Sequence, residues 1–315
     1  MPRRLRDLGE FGLVDRIDRL VVRAGGSGRG VALGIGDDAA LLRLRAAEEL
    51  VVSTDASVEG VHFRWQTDDA GALGRRALAA AVSDLAAMGA RPLGCTLSLA
   101  APPALELRRL EPALRGLVAE AARRSCPLVG GNIARAGETS FHLTVLGAVK
   151  RGRALRRDAA RAGDLLLVTG NLGRAALRRA RAAAERRPNR DVPPDRLPAG
   201  RKLGSLGRRV ACIDLSDGLA ADLPHLLGTG LGAEVAADAL PRTRGFDAGC
   251  RRLGLEPSTL LASGGEDYEL LFSLSPAAAD PTRLARRLGV RVTEIGRVVA
   301  RPGIRGLPEG GWRHF

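Results

Sequence analysis

Along residues 10–22 (EFGLVDRIDRLVV), Phe11, Val14, Ile17 and Val21 recur at helical spacing, which predicts a short amphipathic helix. The period shortens at ELVVSTD (49–55), where a β-branched run predicts a strand. Residues 68–88 predict a long helix closed by Gly89 in the position of a C-terminal cap. PLGCTLSLA (92–100) predicts a strand, the Pro102-Pro103 break precedes a helix at 104–124, and CPLVGGN and SFHLTVLGAV predict two further strands. A second series follows: strand 164–170, helix 173–187, a strand-to-turn element over 210–223, strand 269–274, helix 281–288 and strand 290–298. RRPNRDVPPDRLPAG (186–200) concentrates prolines and charges and predicts an exposed connection inside that second series. The alternation of strands and helices predicts an α/β (α+β) fold, and 315 residues divide into two domains, expected at 1–149 and 150–315.

Composition narrows the picture mainly by exclusion. No run approaches the ~18–20 apolar residues of a membrane span, and the basic start MPRRLRDLGEFG has no apolar core of a secretory signal, so the expected setting is cytoplasmic. Cys95, Cys126, Cys212 and Cys250 form no CxxC pair, which leaves them as small buried hydrophobes and not as zinc ligands or a disulfide frame. The net charge of +14 suggests nucleic acid at first. However, Lys150 and Lys202 are the sole lysines among 49 basic residues, and the arginines are scattered along helical segments. Nine aromatics interleave with no basic stripe, so a nucleic-acid partner is not expected.

Four acidic clusters carry the candidate chemistry: GIGDDAA (34–40), STDASVEGVHF (53–63), SDLAAMG (83–89) and DLSDG (214–218). Any one of them could cap a helix or tie a turn. Together, hard oxygen ligands on separate loops are what Mg²⁺ requires beside phosphate oxygens and waters, so the joint reading is a polymetal phosphate site. GIGDDA fits the dinucleotide fingerprint only formally, because two carboxylates would stand where a pyrophosphate approaches. There is no GxxxxGK[ST], so phosphates must be handled by metal and arginine.

GIGDDAA, STDASVEGVHF, SDLAAMGARP, VGGN-x-x-R, GRALRRDAARAGD, IDLSDGL and SGGEDYEL occur in this order, and the series resembles the thiamine-monophosphate kinases. That family sits in a superfamily with aminoimidazole ribonucleotide synthetase, selenophosphate synthetase and a hydrogenase maturation protein. The resemblance runs from GEFGLVDRI at residue 9 to the terminal WRHF. It implies ATP-dependent phosphorylation of thiamine monophosphate to thiamine diphosphate with several Mg²⁺ ions, by direct in-line transfer. It also implies a two-domain aminoimidazole ribonucleotide synthetase-like fold, with an N-terminal metal- and ATP-binding domain that forms a homodimer and a C-terminal α/β domain. Carried over position by position, it implies Asp38, Ser53, Thr54, Asp55, Asp84, Asn132, Asp214 and Asp217 around the metals. Gly131, Asn132, Arg157 and Ser216 would meet ATP, and His62, Glu266 and Trp312 the thiamine moiety.

No side chain is expected to act as a base, since a phosphate acceptor with a second pKa near ~6 is already ionised at neutral pH. Asn132 departs from the family, which has Asp after the Gly-Gly pair. An amide oxygen coordinates Mg²⁺ without contributing charge, so a raised Mg²⁺ requirement is expected. The alternative reading is another ATP-dependent superfamily enzyme of the aminoimidazole ribonucleotide synthetase type, against which SGGEDYEL and the terminal aromatic speak.

Overall fold

The computed structural model describes residues 4–26, 28, 30–36, 39–207, 209–308 and 310–311, and its contacts divide the chain into two compact units. The first unit comprises Met1–Leu85, Arg91–Arg151 and Arg186–Val192; the second comprises Ala86–Ala90, Gly152–Glu185 and Pro193–Phe315.

In the first unit, helix α1 (Leu5–Arg23) buries Leu13, Ile17 and Val21, a stripe at four-residue spacing. Phe11, which the sequence places on the apolar face, is instead exposed, because two positions before Leu13 is about 200° around the helix. The short β1 (Val31–Leu33) and β2 (Leu41–Leu42) pair with each other. β3 (Glu48–Val58), helix α2 (Ala70–Ala87), β4 (Arg91–Ala101), helix α3 (Leu107–Arg123), β5 (Leu128–Arg135) and β6 (Ser140–Lys150) follow. Their sheet has the order β3-β6-β4-β5, antiparallel except for the β4–β5 pair. Alternation along the strands sends Phe141, Leu143 and Val145 of β6 and Cys95, Leu97 and Leu99 of β4 into the core. Leu50 and Val52, on the other face of β3, stay 48% and 55% exposed.

The second unit is built on a six-stranded sheet, counted among the described residues, with the order β12-β9-β11-β7-β10-β8. Its strands are β7 (Leu165–Thr169), β8 (Ala211–Asp214), β9 (Gly232–Val235), β10 (Leu270–Leu274), β11 (Val292–Val299) and β12 (Gly303–Arg305). Helices α4 (Arg174–Ala184), α5 (Leu197–Gly204), α6 (Leu219–Leu226), α7 (Phe246–Arg252), α8 (Pro257–Ser263) and α9 (Pro281–Leu288) complete it. The core gathers Leu166, Val168, Ile213, Leu223, Phe246 and Ile295. All four cysteines are buried and free.

The connection predicted over 186–200 is largely exposed in its first part, yet Arg186–Val192 groups with the first unit. There Asn189 donates its N–H to Thr67 O at 2.8 Å and accepts from Asp69 N at 3.0 Å, while Arg190 Nε reaches Asp69 at 3.2 Å.

Candidate functional site

Within the first unit, Ser53 and Asp55 are two residues apart on β3 and therefore share a face. Ser53 Oγ donates to Asp84 Oδ2 at 2.5 Å, which brings the strand and α2 together at this point. Asp84 is half-buried on a helix whose neighbouring positions Val82, Ser83 and Leu85 are buried. Asp55 is half-buried too, and its Oδ1 accepts from Ala56 N at 2.7 Å. Thr54 faces the opposite side of β3, where Thr144 donates to its hydroxyl at 3.4 Å. Asn132 lies on that same opposite face, because Thr54 pairs with Thr144, Thr144 with Thr96, Ser98 with Asn132, and Thr96 and Ser98 are two apart on β4. The structure therefore groups Ser53, Asp55 and Asp84 on one side of the sheet and Thr54 and Asn132 on the other.

Gly131 has a steric reason to be glycine. A Cβ there would stand 1.9 Å from Leu97 O of β4, so only a bare backbone fits the parallel pair at this point. His62 sits in a tight turn pinned by Glu59, whose carboxylate accepts from Thr139 N at 3.1 Å. Val58 N donates to His62 Nδ1 at 3.1 Å, which leaves the proton of the neutral ring on Nε2. Phe63, next in line, is buried against Phe141 and Trp65.

Within the second unit, the predicted residues collect around β8. Arg156 pairs with Ala211 at the start of that strand, which sets Arg157 beside it. Arg156 is held by Asp158 at 2.6 Å, whereas the Arg157 side chain is exposed with no hydrogen bond or ion pair among the described residues. Asp214 ends β8, and Ser216 and Asp217 form the turn into α6. This turn is stitched to the SGGEDYEL loop by main-chain bonds: Glu266 N to Ser216 O at 2.7 Å, Tyr268 N to Leu215 O at 2.8 Å, and Leu215 N to Glu269 O at 2.9 Å. Two sequence motifs some fifty residues apart thus become one surface. Glu266 and Tyr268 both adopt positive φ, at 67° and 50°, a conformation that non-glycine residues take only when their surroundings impose it. Glu266 itself is ion-paired with Arg179 of α4.

Asp222 and Glu269 escaped the sequence reading, and Asp267, which after two glycines could cap the element that follows it, instead caps an earlier helix. Asp222 accepts from Asp217 N at 3.0 Å and Gly218 N at 3.1 Å and so fixes the turn before α6. Burial pushes its carboxyl up to about 7, with the charges of Asp217 and Asp214 adding to the effect. Asp267 caps α4 through Gly173 N and Ala175 N, and burial raises its carboxyl to about 7 against those two bonds. Glu269, only 2% exposed, accepts a bidentate pair from Arg196 at 2.5 and 2.8 Å and a bond from Thr169 at 2.7 Å. The available signal was an acidic residue inside an otherwise apolar stretch, as in LAADLPHL and EDYELLF.

Asp38 and Trp312 lie outside the described residues. The chain just before Trp312 is described, however. A Cβ on Gly310 would stand 2.3 Å from Ser263 Oγ and one on Gly311 2.4 Å from the Ala221 Cβ, so this segment runs tightly along the SGGEDYEL loop and α6.

The donor chemistry in both units is oxygen, carboxylate and hydroxyl, which fits Mg²⁺ and not a softer metal. Among the described residues no three His, Cys, Asp or Glu side chains gather into a cage. An ion held at either place would take part of its octahedron from water and phosphate, as Mg²⁺ usually does.

Sequence models of known families place this architecture in a class. The N-terminal domain of AIR synthase related proteins matches residues 36–149, and their C-terminal domain matches residues 161–307. Relatives narrow the class. A thiamine-monophosphate kinase of Synechococcus elongatus is 37% identical over 95% of this chain and 91% of its own length. The crystal structure of thiamine-monophosphate kinase from Stenotrophomonas maltophilia K279a matches with a TM-score of 0.78 at 36% identity over 96% of both chains. AaThiL complexed with AMPPCP and TMP matches at 0.75 with 30% identity over 99% of both. The chain belongs to the thiamine-monophosphate kinase family.

Proposed function

We propose that this protein transfers the γ-phosphate of ATP to thiamine monophosphate, giving thiamine diphosphate and ADP, with Mg²⁺ assisting. The observation that carries the reading is the joining of the DLSDG and SGGEDYEL loops, which sets a carboxylate-rich turn beside the residue expected to meet thiamine, in a chain of this family. The acceptor phosphate is already ionised at neutral pH, so the protein need not abstract a proton. Its task is to hold polyanions in line and offset their repulsion.

Arg157 has an exposed guanidinium suited to bidentate contact with ATP phosphate. Ser216 adds a hydroxyl at the turn, and Gly131 with Asn132 brings bare backbone and an amide to the nucleotide. Ser53, Asp55 and Asp84 would hold Mg²⁺ in the first unit, with Thr54 contributing from its main chain; Asp214 and Asp217 would do so in the second. Bound Mg²⁺ supplies charge neutralisation on the phosphate oxygens and a template for in-line displacement. His62 presents Nε2–H as a donor, and Glu266 a carboxylate as acceptor, to the thiamine moiety. Trp312 would add cation–π contact worth ~0.5–2 kcal/mol over the thiazolium.

The 1–149 and 150–315 division is the functional one in this reading, with cytoplasmic placement. No described helix is long and apolar enough to cross a membrane. A second copy of the chain would cover the apolar face at Leu50 and Val52, and light scattering on the eluted protein tests that homodimer. The deciding experiment for the activity is incubation with ATP, Mg²⁺ and thiamine monophosphate followed by chromatography. Stoichiometric thiamine diphosphate and ADP are expected; none across a wide Mg²⁺ range would reopen the substrate.

A further inference from the structure

Glu266 cannot choose its position freely. Its N–H is committed to Ser216 O, its φ is 67°, and Asp267 next to it is anchored on the first turn of α4. The same loop follows that helix for another turn. A Cβ on Gly264 would stand 3.0 Å from the Ala176 Cβ, and Arg179 stands three residues beyond Ala176 on the same helix face, where its Nη1 donates to Glu266 Oε2. With the main chain fixed, what remains variable is the carboxylate, and its partner is a guanidinium whose side chain is 50% exposed.

From this geometry we propose that Arg179 is the selectivity counter-ion of the Glu266 subsite: in the ligand-free protein it occupies the carboxylate, and a cationic ligand must displace it. The proposal rests on the reading of Glu266 as a thiamine contact. A half-exposed pair of this kind is weak and exchanges readily, since ordering a long side chain offsets most of its attraction. It still matters to a cation. The arriving thiazolium meets a neutralised pair instead of a bare negative charge, and the displaced guanidinium repels it until it swings into solvent. Arg179 thus makes the subsite unattractive to simple cations, so that a ligand must bring further contacts to be retained.

The test is calorimetric binding of thiamine monophosphate to the intact protein and to Arg179→Ala, Arg179→Lys, Glu266→Gln and the Arg179→Ala/Glu266→Gln pair. Arg179→Ala is expected to tighten binding by roughly threefold to fivefold, an advantage that shrinks as salt is raised, while Arg179→Lys stays close to the parent. In the Glu266→Gln background, Arg179→Ala should change little, which a merely structural role for Arg179 would not produce. Unchanged or weaker binding in Arg179→Ala overturns the proposal. If Glu266→Gln itself leaves binding unchanged, the thiamine reading of Glu266 has failed instead. If Glu266→Gln weakens binding while Arg179→Ala does not tighten it, only the counter-ion role has failed.

Discussion

The acidic groups of the two units are held in different ways. Asp55 and Asp84 project from a strand and a helix, and their placement follows from the regular geometry of β3 and α2, with one hydroxyl joining them. Asp217 and Glu266 project from turns, with Asp214 at the strand end that leads into them; two non-glycine residues there have positive φ, and the placement of the group depends on bonds between loops. A carboxylate on a regular element can be exchanged for its isostere with the backbone left standing. A carboxylate on a stitched turn shares its support with its neighbours, so removing one buried partner loosens the whole surface.

The sharpest way to break this contrast is Arg196→Ala. It leaves Glu269, within the SGGEDYEL segment itself, buried without its ion partner, and a loss of about 3–5 kcal/mol is expected in denaturant unfolding. A loss under about 1 kcal/mol would show that the loop does not depend on the pair. Next is Asp84→Asn, which should lower kcat/KM for thiamine diphosphate formation on the order of 100-fold with the melting temperature nearly unchanged. A comparable loss of stability would place Asp84 with the stitched groups.

A smaller effect is expected from pH. The Asp267 carboxyl titrates near 7 in the folded chain and near its ordinary acidic value when unfolded. Its contribution to stability is therefore fully present below the unfolded value and lost as pH rises through about 7. Asp267→Asn has no such group, so the melting-temperature advantage of the parent over the variant should decline between pH 5 and 8; a constant difference would assign Asp267 an ordinary pKa. The mildest expected change is Asn132→Asp: Asn132 lies across the sheet from Ser53, Asp55 and Asp84, so a charge added there should lower the Mg²⁺ concentration for half-maximal rate only a few-fold. An unchanged Mg²⁺ profile would remove Asn132 from the metal's surroundings.

Much of the fold was legible because its signals are local. The β-branched run at 49–55, the Pro102-Pro103 break and the apolar spacing before Gly89 each predicted an element that is present. β9 and β12 were missed because strands of four and three residues that contain glycine make too little periodicity to detect. The site was legible as a set of motifs, since acidic residues beside glycine stand out in sequence. Its supports were not: Arg179 meets Glu266 across 87 residues and Arg196 meets Glu269 across 73, distances over which only the folded chain defines neighbours. Thr54 marks an intermediate case, because the two-residue period of a strand already sends it away from Ser53 and Asp55.

The excursion at Arg186–Val192 bears on how this protein can be cut and joined. The chain passes from one unit to the other after residues 85, 90, 151, 185 and 192. No single scissile point separates the units into two continuous pieces, and a gene fragment ending near residue 149 would omit the Asn189 strand-like partner of Thr67 and Asp69. A splice that treats the two halves as interchangeable cassettes would sever that tie, so a working exchange has to carry the Arg186–Val192 segment along with the first unit.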